Sequence, residues 1–71
     1  MMLIVLHADL RALGYCNRGA RDWFSRHHLD WSAFIHRGIA AEQLLATGDT
    51  MAKEVVAVAE RRIEAGRIHG R

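Results

Sequence analysis

The clearest pattern along the chain is helical. At 100° per residue, Cys16, Ala20, Trp23, Phe24 and His27 fall within a stripe about 100° wide, which predicts a core-facing helix over residues 16–28. Arg18, Arg21, Asp22, Ser25 and Arg26 take the opposite face, and Asp22 precedes Arg26 by four residues, in the order that favours a helix ion pair. Asn17 is an N-cap residue type, which would start this helix slightly later than the stripe does. Leu29 and Asp30 break the register. Asp30 is placed to cap a second helix over residues 31–37 while Leu29 packs back on Phe34 as a hydrophobic staple. There Trp31, Phe34 and Ile35 share the inward side, and both tryptophans are expected to be buried.

Downstream, Gly38 stops that helix, and a short one over about 40–46 should bury Ile39, Leu44 and Leu45. Gly48 closes it, and Asp49 caps the longest helix, from Thr50 to about Ala65. Its main stripe is Ala52, Val55, Val56, Ala59 and Ile63, opposite Lys53, Glu54, Glu60, Arg61 and Glu64. The run Met1 to Leu6 is strictly apolar and fits either an extended segment or a helix start, since Leu3, Leu6, Leu10 and Leu13 share helical spacing. The extended reading lets Asp9 cap a short helix over 10–13 that Gly14 ends.

These elements predict an all-α fold, a compact small bundle of four to five short helices, with the N-terminal segment extended as its one departure. The chain has no proline, so its six glycines carry the punctuation. At 71 residues it has room for one domain, and chains this short bury only about 60% of the surface they expose when unfolded. Residues 1–65 are read as that domain and 66–71 as a frayed basic tail.

Composition narrows the function classes. Apolar residues at 51% and charged residues at 25% can build a core, which excludes a disordered composition. The single Cys16 precludes an intrachain disulfide and points to the cytoplasm. No apolar run approaches the roughly 20 residues of a membrane span. The formal charge of +2 comes from mixed signs, with nine of the ten cations arginine, and forms no basic stripe.

Five histidines invite a search for chemistry. Zinc needs about four Cys or His ligands at workable spacing, and the chain has neither Cys-x-x-Cys nor His-Glu-x-x-His. Cys16 and His27 share a helical face, but eleven residues of rise separate them by about 16 Å, beyond nucleophile–base contact. Cys16 reads as a small buried hydrophobe, and His27 as a core or boundary histidine bonded to backbone. Gly14 and Gly19 lack the remainder of a phosphate loop. No cofactor or metal is implied, and the chain does not read as an enzyme.

Two binding surfaces follow. The segment Arg18 to Arg37 could be a helix-turn-helix addressing DNA phosphates through Arg18, Arg21, Arg26 and Arg37, although residues 31–37 offer few polar side chains to base edges. Met51 and Val58 lie on a flank of the last helix outside its core stripe, and Arg62 extends the same line. That flank is either a site for protein contact, including self-association, or is covered by residues 1–6.

Certain strings resemble a known group: Asp9-Leu10-Arg11-Ala12, Tyr15-Cys16, Arg18-Gly19-Ala20-Arg21, Trp23-Phe24, Leu29-Asp30-Trp31 through Phe34, Gly38-Ile39 and Thr47-Gly48-Asp49. Together, over roughly residues 8 to 59, the chain is similar to small uncharacterised proteins encoded by tailed bacteriophages and prophages of Gram-negative bacteria. Members often carry glycine at the position of His28 and proline at that of Ala40. The resemblance implies a non-enzymatic protein acting by contact with a phage structural or host protein. Its role would be that of a minor morphogenesis or assembly factor, or of a modulator of a host protein such as a defence component. The alternative is a small helix-turn-helix DNA-binding regulator.

Overall fold

The computed structural model describes residues 2–69, with side chains over 2–66. Its elements in order are β1 (Ile4–Val5), α1 (His7–Ala12), α2 (Asn17–Arg26), α3 (Trp31–Arg37), β2 (Ile39–Ala40), α4 (Ala41–Leu45) and α5 (Thr50–His69). The fold is therefore largely helical but not all-α: β1 and β2 pair antiparallel, Ile4 opposite Ala40 and Val5 opposite Ile39. The extended reading of the N-terminal segment holds, and its partner strand is the part the helical pattern did not announce. Ala41 N donates to Leu3 O at 2.9 Å, so by antiparallel alternation the peptide groups of Ile4 and Ala40 turn outward from the pair.

Local chemistry sets the helix ends. Asp30 caps α3, its Oδ1 accepting from Ala33 N at 3.0 Å. Asp49 caps α5, accepting from Met51 N at 2.9 Å. The end of α2 is a Schellman turn: Leu29 N donates to Phe24 O at 2.8 Å and His28 N to Ser25 O at 3.1 Å. The left-handed residue that this turn requires is His28, at φ 58°. Gly38 takes φ 80° where the chain leaves α3 for β2, and a Cβ there would lie 2.6 Å from Ile4 Cγ2 and 2.7 Å from Val5 O. Only glycine fits beneath β1.

One apolar cluster draws on every element: Val5, Leu10, Ala20, Trp23, Phe24, Phe34, Ile39, Ala41, Leu44, Ala52, Val55, Val56 and Ala59. Phe24 is its aromatic centre, with ring centroids 4.8 Å from Phe34, 5.2 Å from Trp31 and 5.7 Å from Trp23.

Several expectations need correction. Asp9 does not begin α1: the helix starts at His7 with Leu6 as N-cap. Asn17 is the first residue of α2, and Cys16, the N-cap, makes no side-chain cap bond. Cys16 is exposed because it precedes the helix whose stripe appeared to include it. Ile35, Leu45 and Ile63 are exposed. Helices α3 and α4, at seven and five residues, turn only one narrow side inward. Trp31 is half-buried, against 4% exposure for Trp23. Helix α5 continues to His69, past the expected end near Ala65. Of the expected frayed tail, Gly70 and Arg71 lie outside the described residues.

Candidate functional site

The N-terminal strand is tied to the last helix by one polar knot. Asp9 sits in the first turn of α1, 2% exposed, and its Oδ2 accepts from Leu6 N at 2.8 Å, the return half of a capping box. Arg62, one turn from the solvent end of the α5 core stripe, reaches the same carboxylate: Nε donates to Oδ1 at 2.9 Å and Nη2 to Oδ2 at 3.2 Å. Arg62 Nη2 also donates to Ile4 O at 3.0 Å. A planar fork suits this bidentate geometry, and the third bond occupies an outward carbonyl of β1.

Locking β1 against α5 leaves an apolar groove between them. Strand alternation turns Leu3 and Val5 inward and Met2, Ile4 and Leu6 outward. Met2 is 65% exposed, and Ile4, Leu6 and Ile63 are each about two-fifths exposed. These four, with Leu3, Glu60, Arg62 and Glu64, line an open groove of about 630 Å³. Of the described charged residues that line it, Arg62 is engaged with Asp9, which leaves the carboxylates of Glu60 and Glu64 on the rim.

The residues singled out in the sequence are thus redistributed. Met51 is half-buried and packs against the core, Val58 is half-buried, and Arg62 closes the Asp9 knot. They do not form one free flank: β1 meets α5 at Arg62, while Met51 lies with Trp23, Phe34 and Leu44 on the core side. The leftover apolar surface lies instead on the outer face of β1. Sequence reasoning missed it because the run Met1 to Leu6 is apolar on both strand faces, a signal read as burial rather than as burial with a remainder.

Arg18, Arg21, Arg26 and Arg37 are all exposed. On α2, Asp22 lies between Arg18 and Arg26 at helical spacing, which breaks the positive face. Helix α3, the would-be recognition helix, turns Phe34 into the core and Trp31 partly so.

Other polar groups hold the fold together. Trp23 Nε1 donates to Asp49 Oδ2 at 3.1 Å. The Met51 amide first and the Trp23 indole second hold the Asp49 carboxyl below its usual range. Tyr15 OH donates to Glu54 Oε1 at 2.7 Å, and that bond is the main cause of the upward displacement of the tyrosine pKa. His7 Nε2 lies 2.9 Å from Asn17 Oδ1, its ring edge-on to Trp31 and Phe34. His27 stacks at 4.4 Å on Trp23. The histidine bonded to backbone is His36, whose Nδ1 donates to Ser32 O at 2.9 Å. Among the described residues no three of His, Cys, Asp or Glu converge as a metal site requires, and no helix is long and apolar enough to cross a membrane.

Comparison with family models, with curated proteins and with solved structures finds no match to this chain.

Proposed function

We propose that the protein is a non-enzymatic binding module that acts by contact with another protein in the cytoplasm of a bacterial host. Its setting is that of a tailed phage or prophage, and its partner is a phage structural protein or a host protein. The observation that carries this reading is the groove of Met2, Ile4, Leu6 and Ile63, apolar side chains that the fold holds together and leaves in water. Contiguous exposed apolar surface with a charged rim is how protein contacts are built. Asp9, Asp30, Asp49, His7, His27 and His36 are engaged in caps, the Asp9–Arg62 knot, side-chain hydrogen bonds and aromatic stacking, which supports a binding role over a catalytic one.

Two backbone positions support the phage resemblance. His28 occupies the left-handed φ that glycine adopts without cost, and Ala40 has φ −63° with its N–H turned away from β1, which a proline accepts. These are the positions where the resembling proteins often carry glycine and proline.

Affinity capture from infected and uninfected host lysates, comparing wild type with Ile63→Asp, tests the reading. A specific protein held by wild type and lost with the variant supports it. The helix-turn-helix alternative draws on the exposure of Arg18, Arg21, Arg26 and Arg37. It requires duplex DNA binding whose affinity falls steeply with salt, and such binding, undisturbed by Ile63→Asp, would displace the protein-contact reading.

A further inference from the structure

We infer that the β1–α5 groove takes a basic amphipathic helix of another protein, with apolar anchors seated on Met2, Ile4, Leu6 and Ile63 and flanking Lys or Arg side chains facing Glu60 and Glu64. This rests on the protein-contact reading and names the class of partner.

Charge selects the occupant first. Among the described residues three charged side chains line the groove, and the one cation of these, Arg62, is paired with the buried Asp9. What the rim offers an incoming surface is two carboxylates one helical turn apart on α5, a match for cations spaced along a partner helix. An anionic lipid surface would meet the same carboxylates and be repelled.

A second copy of this chain fits poorly. A twofold contact brings the same patch of both molecules together, so the Glu60 and Glu64 rims would face one another.

Backbone geometry selects the mode of docking. An extended partner would add a strand to the outer edge of β1, and strand addition depends on main-chain hydrogen bonds along that edge. Arg62 Nη2 already occupies the Ile4 carbonyl at 3.0 Å. Side-chain docking into the groove, with anchors repeating at three and four residues, needs no edge.

The test uses the whole chain and an 18-residue Leu/Lys amphipathic peptide, with its Leu/Glu counterpart as control. Isotope-labelled protein is titrated with each and read by amide chemical shifts. The inference expects the Leu/Lys peptide to shift resonances of residues 2–6 and 60–64, and the Leu/Glu peptide to bind at least about tenfold more weakly. The Glu60→Lys/Glu64→Lys variant should reverse that order, and Ile63→Asp should abolish binding while circular dichroism stays unchanged. Equal binding of both peptides, with no reversal in the charge variant, would overturn the basic-helix assignment and leave the protein-contact reading standing. Binding at residues 18–37 instead would overturn both. Concentration-dependent dimerisation abolished by Ile63→Asp would make a second copy the occupant. Flotation with phosphatidylglycerol vesicles would make it a membrane. A tenfold gain in peptide affinity on deleting residues 67–71 would mean that the chain's own basic end fills the groove. Each of these three also overturns the assignment.

Discussion

At the scale of single residues, the most informative strain is at His28. A non-glycine side chain at φ 58° carries a penalty of about 1 kcal/mol, and the Schellman bonds around it show that the backbone geometry, not the histidine, is what the turn needs. His28→Gly should therefore raise unfolding stability by up to about 1 kcal/mol in urea denaturation, less the entropy that glycine adds to the unfolded chain. Ala40→Pro acts through the unfolded state in the opposite sense. With φ already at −63° and the N–H outside the strand pair, it should stabilise by about 0.4–1 kcal/mol. A loss in either variant would mean that the local geometry is not as described. The tryptophans report separately: Trp23→Phe leaves only half-buried Trp31, so emission should move to the red of wild type.

Protonation acts at the same scale. The Asp49 carboxyl sits below its usual range in the folded chain, so its contribution to stability is complete above the unfolded value of about 3.9 and disappears as the pH falls through the lower folded value. The Tyr15 hydroxyl has the opposite sign: its folded pKa is raised, so its contribution is complete below about 10 and declines as the pH rises beyond it. Melting temperature against pH should accordingly fall at both extremes. Asp49→Ala should flatten the acid limb, and Tyr15→Phe the alkaline one. An unchanged limb in either variant would remove that group from the account.

At the scale of elements, the Asp9–Arg62 knot decides whether β1 stays on α5. The two partners are not equivalent, because Asp9 is buried and the Arg62 side chain is about one-third exposed. Arg62→Ala strands a buried carboxylate with one remaining amide donor and should cost about 3 kcal/mol. Asp9→Ala leaves an arginine that can reach water, and should cost less. The double change Asp9→Leu/Arg62→Met should recover much of the larger loss, since buried ion pairs are replaceable by apolar packing. Thermal or urea unfolding of the three variants ranks them. Equal single-variant costs would contradict the burial asymmetry.

The elements also show what a sequence can reveal. Caps and stops are local chemistry, and Asp30, Gly38 and Asp49 marked α3 and the start of α5 to within a residue, while Gly48 stands three residues past the end of α4 at Leu45. The strand pair was hidden because β2 is two residues long, too short for alternation, and its partner lies 35 residues earlier in the chain. The knot was hidden for the same reason, joining residues 53 apart. Its one trace was Arg62 on the line of Met51 and Val58, which showed that the flank mattered without showing that the chain itself would use it. Inward-facing stripes failed at Ile35 and Leu45, on short helices, and at Ile63, where α5 runs on past Ala59, the last buried one of its described residues.

At the scale of the molecule, the radius of gyration of 12.0 Å is close to the roughly 11 Å typical of this length. The long axis is 40 Å against 23 Å across. Helix α5 alone spans about 30 Å by helical rise, and from Ile63 to Gly66 it is exposed except for what β1 provides. The groove therefore forms where the last turns of α5 meet β1, and its described lining includes none of Arg18, Arg21, Arg26 and Arg37. A photoreactive amino acid placed in infected host cells at Ile63, and in parallel at Arg18, tests whether this end or the arginine face meets the partner. The account predicts a discrete protein adduct from position 63 and none from 18; adducts from position 18 alone, or crosslinks to nucleic acid, would contradict it.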